Sequence, residues 1–285
     1  MATPAEDTMV GAEGNVLRTL TWEPRGDVLG RVLVVHGLGE HAGRYGHVAE
    51  YLTALGFAVM AFDLRGHGMS EGRRGSLRAF ELLVEDVQSA REVAERRLPG
   101  HGHPFLYGHS LGGLVVLRHL QMSRPPTPGV VLSAPWLGTA REVPRWMRMG
   151  ISVLLRVLPD VPLSNPRSDP RALTGDEEAR AAFVDDPLVH HKLSPRFFAE
   201  VERAQTLALS QAVDPSVPML VLAPMEDALV DTEVTLRWAS AKRGERITVL
   251  RLDGTRHEPH NDVGRRDVIA SVGSWLERTA RGQRT

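Results

Sequence analysis

The chain contains no cysteine, which removes disulfides, thiolate catalysis and cysteine-ligated zinc together while leaving the redox compartment open. Lysine is nearly absent too: Lys192 and Lys242 are the only two, so arginine carries the basic charge. An excess of either sign is missing, because 34 basic and 35 acidic side chains leave a formal charge of −1. No global field is available to collect nucleic acid or an anionic membrane, and no nucleic-acid partner is expected. No window approaches the ~18 uninterrupted apolar residues of a membrane span, and the C-terminal Arg281-Gly282-Gln283-Arg284-Thr285 carries no lipidation signal. Met1 to Asn15 is small, polar and acidic where a signal peptide has a basic start and an apolar stretch, so the cytoplasm is the expected location. With 42% hydrophobic and 24% charged residues over 285 positions, the composition is that of one large folded domain with room for an insertion.

Short apolar runs recur at Val32 to Val35, Phe57 to Phe62, Pro104 to Tyr107, Val130 to Leu132, Val217 to Ala223 and Ile247 to Leu252. Their length and lack of alternation read as buried parallel strands. Between them, Tyr45 to Leu55, Leu77 to Arg97, Leu111 to Gln121, Glu233 to Lys242 and Arg265 to Arg278 carry apolar residues at helical spacing. Strand and helix alternate, which predicts an α/β fold with a mostly parallel, doubly wound sheet. A weaker strand at Val16 to Trp22, with the residues before it, reads as an antiparallel edge hairpin.

The alternation fails between Trp136 and Ala212, where proline-rich turns, a long apolar helix and acidic loops intervene. This predicts a core of residues 1–135 and 213–285 carrying a helical cap at 136–212. Within the cap, Val143, Trp146, Met147, Gly150, Ile151, Leu154 and Leu158 share one helical face, opposite Arg145, Arg148, Ser152 and Arg156. One reading is that the apolar stripe packs the cap onto the core. The other is a lid, with Trp146, Ile151 and Leu154 touching acyl chains and the arginines touching head groups, which adds a transient membrane-surface contact.

Gly-x-Ser-x-Gly suits a serine on a sharp strand-to-helix turn, because the flanking glycines relieve crowding there. The chain matches it twice, at Gly68-Met69-Ser70-Glu71-Gly72 and at Gly108-His109-Ser110-Leu111-Gly112. Ser70 runs into the polar, glycine-broken Arg73-Arg74-Gly75, whereas Ser110 follows a strand and opens the apolar run Leu111 to Leu117. Ser110 is the expected nucleophile, with Ser70 a loop residue.

A serine hydroxyl needs a base to take its proton and a carboxylate to hold that base. Glu226, Asp227 and Asp231 follow the strand ending at Ala223. Asp231 precedes a helical pattern and reads as its N-cap, Glu226 as a solvated neighbour, and Asp227 as the acid. After the last strand His257 and His260 compete for the role of base; His257 lies nearer the strand end and is preferred. The oxyanion donors expected are the backbone N–H of Leu111, which the elbow supplies, and that of Leu38 in the glycine-rich turn His36-Gly37-Leu38-Gly39-Glu40-His41. No histidine set has metal-ligand spacing such as His-Glu-x-x-His, so neither a metal nor another cofactor is expected.

With those residues assembled, the chain resembles the α/β-hydrolase superfamily, and within it the monoacylglycerol lipase and lysophospholipase group. The resemblance is carried by His36-Gly37-Leu38-Gly39-Glu40-His41 with Arg44-Tyr45, by Phe62-Asp63-Leu64-Arg65-Gly66-His67-Gly68-Met69-Ser70, and by Gly108 to Gly113. Asp227-Ala228-Leu229-Val230-Asp231 and His257-Glu258 complete it. It implies an α/β-hydrolase fold with a helical cap, and a cofactor-independent serine hydrolase whose small-molecule substrate is an ester with one acyl chain. Hydrolysis of short-chain esters or thioesters is the alternative within the class. A silent hydrolase fold that only binds is the alternative outside it, one disfavoured because every triad position is filled.

Overall fold

Each short apolar run forms a strand, and the strands join one sheet because the residues alternating along them meet apolar helices on both faces. The computed structural model describes residues 3–140, 144–164, 169–242 and 246–282. It opens with the antiparallel pair β1 (Ala5–Val10) and β2 (Val16–Trp22). There follow β3 (Gly30–Val35), α1 (Gly46–Ala54), β4 (Phe57–Phe62), α2 (Glu81–Arg97), β5 (Phe105–His109), α3 (Leu111–Ser123) and β6 (Val130–Ser133). The chain then leaves the sheet for α4 (Arg145–Val157), β7 (Leu163–Ser164), α5 (Pro170–Leu173), α6 (Glu177–Asp185), β8 (Lys192–Leu193) and α7 (Pro195–Ser210). It returns with β9 (Met219–Pro224), α8 (Thr232–Ala241), β10 (Ile247–Leu252) and α9 (Arg265–Gly282). The strand order is β1-β2-β4-β3-β5-β6-β9-β10, parallel from β4 onward, while β7 and β8 form a separate small ribbon.

The period of two along a strand divides the core into two layers. Leu33, Val35, Ala58, Met60 and Phe62 face one layer, shared with α2, α3 and α7. Val32, Val34, Phe57, Val59 and Ala61 face the other, with α1 and α9. Both faces are therefore dry, which is why these strands read as unbroken apolar runs. β10 departs from the expectation of a buried strand: it is parallel to β9 but forms the sheet's edge, and Val249 is 37% exposed.

Within the 136–212 segment the helices part company. α7 carries Phe197, Val201, Ala204 and Ala208 at helical spacing and buries all four in the layer that holds α3, so by packing it belongs to the core. α4 rests on α7 and keeps much of its apolar surface outside. Met147, Ile151 and Leu154 are half-buried, whereas Trp146, Met149, Val153 and Val157 run exposed along another stripe. Val143, expected on the apolar face, lies outside the described residues.

Candidate active site

Ser110 stands at the junction of β5 and α3 with φ 51° and ψ −114°, a conformation that costs a non-glycine residue free energy and persists only where the surroundings hold it. Its N–H donates to the Ser133 carbonyl at 2.9 Å, and its own carbonyl accepts Trp136 N–H at 3.0 Å. The flanking glycines are sterically required. A Cβ on Gly108 would lie 2.6 Å from the Gly112 carbonyl oxygen, and one on Gly112 would lie 2.1 Å from that of Val35. Ser70 has a different role: its hydroxyl donates to the Asp63 carbonyl at 2.6 Å and accepts Arg18 N–H at 2.9 Å, tying its loop to β2.

The structure brings Ser110, His257 and Asp227 together. The Ser110 hydroxyl lies 2.9 Å from His257 Nε2, and His257 Nδ1–H donates to Asp227 Oδ2 at 2.6 Å. Asp227 Oδ1 accepts the N–H groups of Leu229 and Val230 at 2.8 and 2.9 Å, and the side chain is wholly buried. Burial pushes the His257 pKa down, but the charge and hydrogen bond of Asp227, helped by Glu258 and Glu40, outweigh it and leave it raised above 6.5. The rival residues are occupied elsewhere. Asp231 caps α8 through Val234 N–H at 3.1 Å, Glu226 is exposed, and the buried His260 ring stacks on Tyr45 at 4.6 Å.

Leu38 lines this site and Leu111 directly follows Ser110, and the N–H groups of both have no acceptor among the described residues. Leu111 opens α3, where a helix leaves its N–H groups unsatisfied. The neighbouring turn is braced by a group that pattern reading left without a role. Glu40 Oε1 accepts Gly37 N–H at 2.5 Å and Tyr45 O–H at 2.8 Å, while Glu40 and Glu258 flank the Arg44 guanidinium at 3.3 and 2.5 Å. All three are almost fully buried, so each charge depends on the others. The motif match held Glu40, Arg44 and Glu258; only the fold shows that Arg44 joins the Leu38 turn to the His257 loop.

Ser110 and His257 open onto a cavity of about 110 Å³, lined by Leu38, Trp136, Leu173, Phe183, Leu229 and Val230 together with His190, His191 and Lys192. Trp146, Ile151 and Leu154, expected at the substrate, are not part of this wall. Trp146 is 71% exposed, and the other two are half-buried in α4.

A row of histidines links the loops after β3 and β4 to the segment before β8. His36 and His67 rings are 5.3 Å apart, and His67 and His190 rings 4.7 Å apart. Burial pushes His36 down to about 4 and His67 and His190 down to about 3, and it holds His119 in α3 at about 4. His36 is also committed geometrically, donating from Nδ1 to the Gly37 carbonyl while Nε2 accepts Leu64 N–H. Among the described residues no group of three or more His, Asp or Glu could hold a metal ion.

Because these four histidines fold in the neutral form, their stabilisation is complete above pH 6.5. It erodes as pH falls from there toward 4, where the unfolded chain takes up protons that the folded one refuses. Each contributes a slope of roughly 1 kcal/mol per pH unit. His257, with its raised pKa, acts in the opposite sense, but it is one group against four. The urea midpoint at pH 5 is therefore expected below that at pH 7.5; equal midpoints would contradict the neutral assignment.

A serine, histidine and aspartate joined by hydrogen bonds, carried on loops at the C-terminal edge of a doubly wound parallel sheet, define an α/β hydrolase. The model of the serine aminopeptidase S33 family matches residues 26–264, and the chain belongs to that family of serine hydrolases. Along its length it is 31% identical over 280 residues to a monoacylglycerol lipase of Mycolicibacterium smegmatis, covering 96% of this chain and 98% of the relative. It is 28% identical over 253 residues to a Bacillus subtilis phospholipase, covering 86% and 94%. A crystal structure of Paleococcus ferrophilus monoacylglycerol lipase superposes with a TM-score of 0.81 at 32% identity, over 92% of this chain and 99% of that one. Among the described residues no helix is long and apolar enough to cross a membrane.

Proposed function

We propose that the chain hydrolyses the carboxylic ester of lipids with one acyl chain, a monoacylglycerol or a lysophospholipid, through an acyl-enzyme. The observation that carries this is the Ser110–His257–Asp227 hydrogen-bond relay opening onto a largely apolar cavity. Ser110 attacks the ester carbonyl while His257 takes its proton and returns it to the leaving alcohol; Asp227 orients His257 and stabilises its cation. The N–H groups of Leu38 and Leu111 hold the oxyanion. Water activated by His257 then releases the fatty acid. The names of the lipase and phospholipase relatives support this substrate class. A panel of monoacylglycerols, lysophospholipids, short p-nitrophenyl esters and aminoacyl amides tests it: turnover of the amides alone would replace the esterase reading with the peptidase chemistry in the family's description.

In this reading residues 136–194 form the cap, and α4 is its lipid-facing element. Trp146, Met149, Val153 and Val157 present an exposed apolar stripe with the exposed Arg156 beside it, a pattern suited to resting at the surface of a bilayer. The enzyme would work in the cytoplasm and touch membranes there. Trp146→Gln combined with Met149→Gln is expected to weaken partitioning onto lipid vesicles at least about tenfold, since burying one such side chain is worth ~1.5 to 3 kcal/mol. Turnover of monomeric short esters should hold. Vesicle binding that is unaffected would exclude α4 as the contact.

A further inference from the structure

The backbone on either side of His257 is held by bonds that lead to the cap. Arg256 N–H, one peptide before the base, donates to Asp262 Oδ2 at 2.6 Å. Glu258 N–H, one peptide after it, donates to the carbonyl of Leu173, the last residue of α5, at 2.9 Å. The second oxygen of Asp262 reaches across the seam: Oδ1 accepts Gly175 N–H at 2.7 Å from the cap and Val263 N–H at 2.9 Å from its own loop. Thr174 closes the seam, its hydroxyl donating to the Asn261 carbonyl at 2.9 Å and accepting Asp176 N–H at 3.0 Å. The Arg256 guanidinium adds bonds to the carbonyls of Arg171 and Thr174 at 3.0 and 3.1 Å, and Arg265 pairs with Asp176.

Asp262 and Thr174 are 3% and 1% exposed, and neither lines the cavity. A buried carboxylate is costly unless donors meet its oxygens, and here the donors come from stretches of chain 87 positions apart. The far end of the same cap stretch holds the other catalytic loop. His190 N–H donates to the Gly39 carbonyl at 2.9 Å, and Asp186 Oδ2 lies 2.7 Å from His41 Nε2. Residues 171–190 thus touch both the loop of the base and the turn of Leu38.

We infer that Asp262 is a positioning residue for the reaction: by clamping residues 171–176 to the loop that carries His257, it makes the docked cap fix the place of the base against Ser110. This rests on the esterase reading above and deepens it. Because neither Asp262 nor Thr174 lines the cavity, loosening the clamp displaces His257 without removing a contact to substrate. kcat then falls while KM holds. An asparagine at this position keeps one arm of the clamp and not both, since its amide nitrogen cannot accept from an N–H.

The test measures kcat and KM for p-nitrophenyl butyrate and for monomeric decanoylglycerol, together with the rate of fluorophosphonate labelling, all well below the melting temperature of each protein. Asp262→Asn is expected to lower kcat about 10- to 100-fold with both esters, the cost of a small misplacement of a catalytic group, at a KM within about twofold of wild type. The labelling rate should fall in the same proportion, because it needs the same base. Thr174→Val keeps the shape of the side chain and loses its hydrogen bonds, and should lower kcat about threefold; it decides the matter if the Asp262 variant does not fold. Ser70→Ala, which loses a hydroxyl bridge outside the site, is the control for lost stability at unchanged kcat. Wild-type kcat in the folded variants overturns the inference and leaves the esterase reading standing. So does a loss confined to KM, or one that disappears on cooling in step with the melting curve. A wild-type protein that hydrolyses neither ester overturns both.

Discussion

Ser110→Ala is expected to abolish labelling by a fluorophosphonate and to lower ester turnover by about 10⁶-fold, the scale seen when a serine that works as a unit with its histidine is removed. The fold should survive. Among the described residues the hydroxyl's one hydrogen-bond partner is His257, and the strained elbow is held by backbone bonds to Ser133 and Trp136 that alanine keeps. Ser70→Ala supplies the contrast, because the two motifs are equivalent in pattern. It removes the hydroxyl that bridges Asp63 and Arg18, so about 1 kcal/mol of stability should be lost with labelling and turnover retained. A labelled peptide containing Ser70, or full activity in the Ser110 variant, would overturn the assignment.

The second large effect separates neighbouring acids. Asp227→Asn is expected to reduce turnover by about 10⁴-fold, because an amide cannot hold His257 in the tautomer that accepts the serine proton. Asp231→Asn should change stability by only a few tenths of a kcal/mol, since asparagine caps a helix as well as aspartate does. Among the histidines, His257→Ala should be inactive and His260→Ala should keep most turnover, although losing the ring stacked on Tyr45 will lower the melting temperature. Steady-state rates with thermal melts on the four proteins resolve the matter; equal losses in the two aspartate variants would reassign the acid.

The sheet was legible because runs such as Phe57 to Phe62 are buried on both faces, and only strands between two helical layers demand that. The elbow at Ser110 was legible because it needs a strand before it and a helix after it, both local properties. The edge position of β10 was overlooked although it left a trace: Ile247 to Leu252 carries Thr248 and Arg251 where an inner strand such as Phe57 to Phe62 is wholly apolar. Nor was the membership of α7, whose stripe fits a cap or a core equally well until α3 is found beside it. On α4 the sequence reading grouped Trp146 with Met147, Ile151 and Leu154, whereas the structure sets Trp146 on an exposed stripe with Met149, Val153 and Val157, which that reading did not include.

Periodicity, glycine placement and turn chemistry act over a few residues, so the α/β alternation, the Ser110 elbow and the N-cap at Asp231 could be read from the chain alone. The bond between Ser110 and His257 spans 147 positions, and the ion pair between Arg44 and Glu258 spans 214. Order along the chain could nominate such pairs, but only the closed sheet sets their distances. The charge at Arg44 shows the same limit. An arginine is an arginine in any sequence, and whether it meets carboxylates, as Arg44 meets Glu40 and Glu258, depends on which loops the fold brings beside it. Electrostatic partnership is a property of distance through space, and local sequence does not encode it.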